Sequence, residues 1–493
     1  MLEELQKDKL FQSEWKEESQ THYLSSNGRG IWVNDSQSQL NPTRVRHLCQ
    51  PNSVDEIIRL VAFAKTSNSA ISVSGGKHAM GGQQFGHENL HLDMSDFNRI
   101  IQLDSKAGLV TVEAGIKWPK LIHDLRELQS GLTDGITPWV IREKQTGVDS
   151  VSIGGSLSAN IHGRGLRSRP FVDSIESFEL VDHRGEVQRC SRSENRELFS
   201  LAIGGYGLFG IVATVTLRLV RRFKVQRQVS RILAMDSVTL LNQHRESGFV
   251  FGDCQFAIDM SGNADEHPAI LPCYRPVSSD IEVTPEATSL SPEDWASLYR
   301  LSRTDKRQAF ELFSQHYLGT DGQVYWSDTH QLSSAFSGYR EAVNPKQGTE
   351  MITEIYLDHD KAIPCLKSIR EDLASRKADV TYGTIRLIEA DHETFLPWAR
   401  RRSVCIVANL HCPGTASGIK KTKQHFRAIL DRALNFDGSF YLTYHRWALK
   451  HQIEAAYPQI SEFFALKKVY DPNEIFQSNW YRHYRDFWPA IVS

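Results

Sequence analysis

The sequence predicts an α+β fold in two domains, and three observations predict it. Residues 44–76 read as a strand–helix–strand unit that ends in paired glycines. Ser177–Val181 and Glu186–Cys190 flank His183-Arg184-Gly185, a hairpin signal, and the β-branched stretch Ile211–Val220 follows as a long strand. From about residue 223 to 440 the glycine motifs stop. Helix and strand signals then mix among scattered aromatics, including Trp295, Tyr317, Tyr325, Trp326, Tyr339, Tyr356 and Trp398, with no internal repeat.

The elements follow in order. Arg44–Leu48 reads as a short strand. Ser53 and Glu56 form a capping box, and Ile57, Leu60, Val61 and Ala64 then share one helical face. Ala70–Ser74 is a strand and Leu109–Glu113 another. Trp118, Leu121, Ile122, Leu125 and Leu128 mark a second amphipathic helix. Ser193 is the expected N-cap of a helix over Glu194–Leu201. Val404–Leu410 has the apolar run of a buried strand. The last segment opens at Tyr441 and carries a helix ending near Leu466 and a turn at Asp471–Pro472.

Composition bounds the function. The 493 residues are 40% hydrophobic and 24% charged, enough for packed cores. Lys and Arg number 57 against 59 Asp and Glu, which argues against holding nucleic acid by bulk charge. No apolar run reaches the roughly 18 residues of a membrane helix, and Met1–Glu18 is charged and amphipathic rather than a signal peptide. Seven widely spaced cysteines make no disulfide framework. A cytoplasmic, reducing compartment is the expectation.

Two glycine-rich segments carry the chemistry. In Ser74-Gly-Gly-Lys-His-Ala-Met-Gly-Gly-Gln-Gln84, Gly75, Gly76, Gly81 and Gly82 follow a strand directly. Glycine allows left-handed turns and lets amide N–H groups approach an anion, so a pyrophosphate suits this loop. A sharp surface loop without a ligand has the same composition. The second segment, Asp149 to Gly163, is built of small residues and lets main chain lie against a planar ligand or a phosphate. Gly205-Tyr-Gly-Leu-Phe-Gly210 matches G-x-G-x-x-G, but a helix precedes it and a strand follows. That order is the reverse of a dinucleotide fingerprint, so the glycines are read as allowing a close backbone pass. Cys405…His411-Cys412 and Asp358-His359-Asp360 lack the paired spacing of a zinc site, and no metal is expected. Arg400-Arg-Arg402 reads as a solvated face.

The two loops, their order and the following Gly-Ile-Val strand resemble the FAD-binding domain of the vanillyl-alcohol oxidase, or p-cresol methylhydroxylase (PCMH-type), family. The nearest branch is the sugar, alditol and aldonolactone oxidases, which share a pattern like Tyr470-Asp-Pro-Asn-Glu-Ile-Phe-Gln-Ser-Asn-Trp480. The resemblance implies an FAD-binding domain over 1–222 (core about 40–222), a substrate-cap domain over 223–440, and a C-terminal segment, 441–493, returning to the flavin domain. It places Gly75, Gly76, Lys77, His78, Ala79, Met80, Gly81 and Gly82 around the FAD pyrophosphate, with His78 where members bond the flavin 8α-methyl. Ser152, Gly154, Gly155, Ser158, Asn160, His162 and Gly163 match the second FAD-binding run, a branched side chain at Gly155 being expected to obstruct the cofactor. Ile211 and Tyr441 complete the set. No cysteine stands in 146–152, so at most one covalent bond is expected.

For the reaction, the resemblance implies an FAD-dependent oxidoreductase acting on a CH–OH group of a sugar-like, polyol or lactone substrate, with oxygen or another electron acceptor. Arg386 matches an arginine that stabilises reduced flavin. Thr384 stands where alditol oxidases carry glutamate, and Tyr444 or His445 falls where the family has a lysine. His445 is the first candidate base and Tyr444 the second; a structural role for His445 between aromatic neighbours stays open. Two other readings are an oxidising half of a two-enzyme keto-sugar epimerase, against which His78 counts, and a flavin-holding protein without turnover.

Overall fold

The computed structural model describes residues 22–25, 30–130, 138–285, 287–344 and 346–489. Met1–Glu18, read above as amphipathic, lies outside them. The described residues form three main sheets. The first has four strands in the order His22–Ser25, His47–Gln50, Leu90–Asp93, Ile71–Ser74. Its last three strands are mutually parallel, which requires a crossover, and the helix Val54–Thr66 supplies it. The second sheet has five antiparallel strands in the order Val187–Ser191, Ile175–Val181, Ile211–Arg218, Leu109–Glu113, Ile100–Asp104. The expected hairpin is in register, with Val181 opposite Val187.

Local details depart from the sequence reading for identifiable reasons. The chain changes sheets within 44–48: Thr43–Val45 pairs with Ile31–Val33, and His47–Gln50 joins the four-stranded sheet. The Ser53 hydroxyl accepts the Glu56 N–H at 3.3 Å as expected, but the Glu56 carboxylate takes the Asn52 N–H, 2.8 Å away. In the helix Trp118–Ser130, Leu128 is 50% exposed and Gln129 is buried in its place. The Gln129 amide bonds the Leu125 carbonyl and both backbone groups of Trp139, so its burial leaves no polar atom stranded. The helix Arg196–Ala202 starts after Asn195, whose φ is 44°, rather than after Ser193. The last long helix runs over Ile460–Tyr470, past Leu466.

The third sheet has nine strands. Eight lie in the order Val324–Trp326, Lys224–Leu233, Pro268–Val277, Cys254–Phe256, Val380–Ile388, Ser403–Pro413, Gly348–Leu357, Ser439–Phe440, and Phe251–Gly252 also pairs with Pro268–Val277. Strand alternation gives this sheet two faces. Thr353, Ile355, Ile406 and Ala408 meet the helices His359–Ser375 and Ala416–Asn435, while Ile352, Glu354, Val407 and Asn409 face a large cavity. All seven cysteines are buried and free. No helix among the described residues is long and apolar enough to cross a membrane.

The C-terminal segment packs against the first sheet. The Ile71 N–H donates to the Ile475 carbonyl at 2.6 Å, and the Gln477 N–H to the Ile71 carbonyl at 2.9 Å. Asp471 fixes this segment. Its carboxylate pairs with the fully buried Lys467 ammonium and accepts the N–H groups of Ile475 and Phe476 at 2.9 and 2.8 Å. Asp471→Ala would leave the Lys467 charge buried and two donors unmatched, a loss of roughly 3–5 kcal/mol. Thermal unfolding should show a clear fall in midpoint; an unchanged midpoint would remove this clamp from the account.

Candidate active site

The cavity has a volume of about 940 Å³, the size of a site for a large cofactor with room beside it. One wall is made by the two glycine segments. Strand Ile71–Ser74 delivers Gly75, Gly76, Lys77, His78, Ala79 and Met80 to the lining. Opposite, Ser152 caps the short helix Ile153–Ala159, its hydroxyl accepting the Gly155 N–H at 3.2 Å. Ser152, Gly154, Gly155, Ser158 and His162 line the cavity from this side. The segments touch where glycine is required. A Cβ on Gly75 would stand 1.9 Å from Ser152 Oγ, and one on Gly76 would stand 2.1 Å from the Ser150 carbonyl. Gly155 is less constrained: its Cβ would be 3.1 Å from Ser152 Oγ, a contact that a small shift of the hydroxyl relieves.

His78 is set between the loops. Its Nε2 is 2.7 Å from Ser150 Oγ, its ring meets Phe336 edge-on at 4.7 Å, and its buried Nδ1 has no hydrogen-bond partner among the described residues. Burial, with the Lys117 and Arg340 charges, lowers its pKa to about 4, so the ring is neutral near pH 7. Lys77 has φ 61° and its ammonium is held by Asp93 at 2.6 Å. Ile211 and Tyr441 also line the cavity. Gly205–Gly210 makes the expected close pass, since a Cβ on Gly210 would stand 2.9 Å from the Val181 carbonyl. Tyr206, Gly207 and Gly210 add to the lining, a role the sequence reading did not give them.

Four residues expected at the cofactor do not line the cavity. A Cβ on Gly81 would meet the Tyr444 carbonyl at 2.3 Å, and one on Gly82 the Arg446 guanidinium at 2.2 Å. Gly163 packs on Glu143 and Lys144. Asn160 ends the short helix at φ 49° and bonds Asp391 and the Val172 N–H. These residues shape the loops from behind.

On the sheet floor, Glu354 is the hub. It is buried, and its Oε1 meets His162 Nε2, the Tyr356 hydroxyl at 2.7 Å and the Cys405 thiol at 3.2 Å. Its Oε2 accepts the Tyr444 hydroxyl at 2.8 Å. Burial alone would raise the Glu354 carboxyl. His162, Arg386 and the Tyr356 hydrogen bond outweigh it and hold the pKa down to about 2. Burial and the Glu354 charge push the Tyr444 phenol well above its usual range. Arg386 is buried and lines the cavity without a hydrogen bond or ion pair among the described residues. Thr384 is buried, with its hydroxyl 3.3 Å from Asp253.

His445, the first candidate base, is not brought to the cavity. Its ring stacks on Trp447 at 4.0 Å and meets Phe426 edge-on. Burial, with Arg446 nearby, lowers its pKa to about 3. The aromatic neighbours visible in the sequence enclose it instead of aiming it. Glu354 was missed because no local motif marks it. Strand register alone aligns it with Val407 and, through Val407, with Thr384. His162, Glu354 and Cys405 have ligand-type atoms within 4.8 Å of one another, and the hydrogen bonds above join them through Glu354. Neither cluster singled out in the sequence forms such a group among the described residues.

The cavity thus lies between two interlocked glycine loops, with a neutral buried histidine at its edge. Residues 45–191 match the family model of the FAD binding domain, so the chain carries an FAD-binding domain of the PCMH type. It is similar over 442 residues to L-gulono-1,4-lactone dehydrogenase of Mycobacterium tuberculosis, at 23% identity covering 88% of this chain and 95% of that protein. It is 26% identical to L-gulonolactone oxidase of Bos taurus over 41% of this chain and 43% of the relative. It is 31% identical to cytokinin dehydrogenase 1 of Arabidopsis thaliana over 37% and 30%. The match spans about two fifths of the length of several curated relatives.

The geometry separates the glycines experimentally. Gly76→Ala forces a Cβ into the Ser150 backbone and should abolish flavin retention, whereas Gly155→Ala should keep it, measured as flavin absorbance per chain after gel filtration. Equal flavin content in both variants would contradict the interlock.

Proposed function

We propose that this chain is an FAD-dependent oxidoreductase that oxidises a CH–OH group of a sugar-like, polyol or lactone substrate, passing electrons to oxygen or another acceptor. The observation that carries the reading is the cavity itself. Glycine loops of an FAD-binding domain form one wall, and a buried Glu354–Tyr444 pair with an unpaired Arg386 faces them. The alignment with a lactone dehydrogenase over most of both chains supports the substrate class. We read the nine-stranded sheet and its helices, 223–440, as the substrate cap, with 441–493 returning to the flavin side. The Met80 N–H bond to the Thr443 carbonyl, 3.3 Å, and the Gln83 amide bond to the Leu442 carbonyl, 2.8 Å, support that return.

Gly75–Met80 and Ser152–Ser158 would hold the cofactor, and the unpartnered His78 Nδ1 suits a covalent tether. Bound FAD supplies a two-electron hydride acceptor. The protein's task is to take the hydroxyl proton. Tyr444 meets the substrate hydroxyl, and Glu354 fixes the phenol so that its oxygen lone pairs stay available as its own proton passes to Oε2. Arg386 supplies fixed positive charge for the negative charge that develops beside it. His445 is a packing residue.

Flavin bleaching under anaerobic conditions with a panel of polyols, sugars and lactones tests the reaction; a flavin that no member reduces removes it. Tyr444→Phe and Glu354→Gln should each slow reduction by ~10²–10⁴-fold with flavin retained, and His445→Ala by no more than a few-fold. A slow His445→Ala enzyme with normal Tyr444→Phe would reverse the assignment. The tether has its own readout. The yellow colour should stay with the acid-precipitated wild-type chain and extract from His78→Ala; full extraction from wild type contradicts the tether.

A further inference from the structure

Where strand Lys224–Leu233 meets it, the same cavity carries positive charge that the reading above does not use. Arg227, on strand Lys224–Leu233, is only 9% exposed yet lines the cavity. Its Nε donates to the Tyr274 hydroxyl at 3.0 Å and its Nη1 to Thr320 Oγ1 at 2.8 Å. Among the described residues, Nη2 has no hydrogen-bond partner and no carboxylate lies within the 4.0 Å of an ion pair. The rings of Tyr325, Tyr274 and Tyr317 surround the guanidinium at 4.7, 5.2 and 5.4 Å. Cation–π contacts offset only part of the cost of burying a guanidinium.

A second guanidinium stands beside it. Arg164 also lies over the Tyr274 ring, at 4.8 Å, and its buried Nε has no hydrogen-bond partner among the described residues. Among the described residues, Asp253, 3.7 Å from Arg164, is the one carboxylate paired with these two cations. Burial, then Arg164 and Arg227, holds neighbouring His330 well below its usual pKa, so it stays neutral and offers no charge of either sign. Leu298, Phe310 and Phe313 line the cavity nearby. Apolar walls lower the local dielectric and strengthen the attraction for an anion.

We propose that this end is an anion subsite, where Arg227 with Arg164 holds a carboxylate or phosphate substituent carried by the substrate. The word substrate rests on the oxidoreductase reading; the anion site does not. Strand Lys224–Leu233 lies three places from Val380–Ile388, which carries Arg386. At about 4.8 Å per place the strands are roughly 14 Å apart. On the oxidoreductase reading the substrate is a sugar or polyol that bears an anionic substituent.

The test is calorimetric titration of the flavin-loaded protein at constant ionic strength, with inorganic phosphate in one arm and sodium acetate in the other. One anion should bind saturably at one site per chain. Arg227→Gln should weaken it at least about tenfold with flavin content unchanged, Arg227→Lys should recover part of the loss, and Arg303→Gln, at an exposed cation, should have no effect. Phosphate binding alone assigns a phosphate substituent, and acetate binding alone a carboxylate. Absence of saturable binding in wild type for both anions, or equal affinity in Arg227→Gln, overturns the proposal. Should Arg227→Gln fail to fold, Arg227→Lys and Arg164→Gln give the same comparison. A protein that binds the anion but is reduced by no polyol, sugar or lactone keeps the subsite and loses the oxidoreductase reading; the converse result separates them equally well.

Discussion

Three distant parts of the chain meet at one buried carboxylate. Glu354 receives His162 from the second glycine segment, Tyr356 from its own strand, Cys405 from the adjacent strand, and Tyr444 from the C-terminal segment. A buried carboxylate with these donors removed would be costly, so their positions are mutually determined. That requirement ties the glycine-loop wall to the sheet floor and sets the distance across the cavity. It also explains why Tyr444 faces the cavity while His445, one residue on, turns into an aromatic stack.

The glycine loops impose a second, steric constraint. Gly75 and Gly76 close on Ser152 and Ser150 with no space for a methyl group, so each segment is the mould of the other. The loops are backed by the C-terminal segment, through Met80 to Thr443 and Arg446 to the Gly81 carbonyl at 3.0 Å. Glycines here serve two ends. Gly75, Gly76, Gly154 and Gly155 border the cavity, and Gly81, Gly82 and Gly163 let unrelated chain approach from behind.

Much of the local structure was legible. Periodicity located the helices at Val54–Thr66 and Trp118–Ser130, a β-branched run located Ile211–Arg218, and an apolar run located Ser403–Pro413. Failures came where a tertiary partner decided. Leu128 gave its buried place to Gln129 because Trp139, ten residues on, satisfies the amide. The site divided along the same line. Loop residues with a local signature, such as His78 and Ser152, line the cavity. Glu354, Arg164 and Arg227 were not legible in the sequence, because each reaches the cavity through long-range sheet pairing or packing that leaves no short motif.

The central claim is that Tyr444 and Glu354 act as one unit on the substrate proton. A double-mutant cycle on the rate of anaerobic flavin reduction measures this coupling directly. If the phenol works only through its bond to Glu354, the Tyr444→Phe, Glu354→Gln double variant should be about as slow as the slower single variant. Losses that multiply in the double variant would show two independent groups and contradict the account.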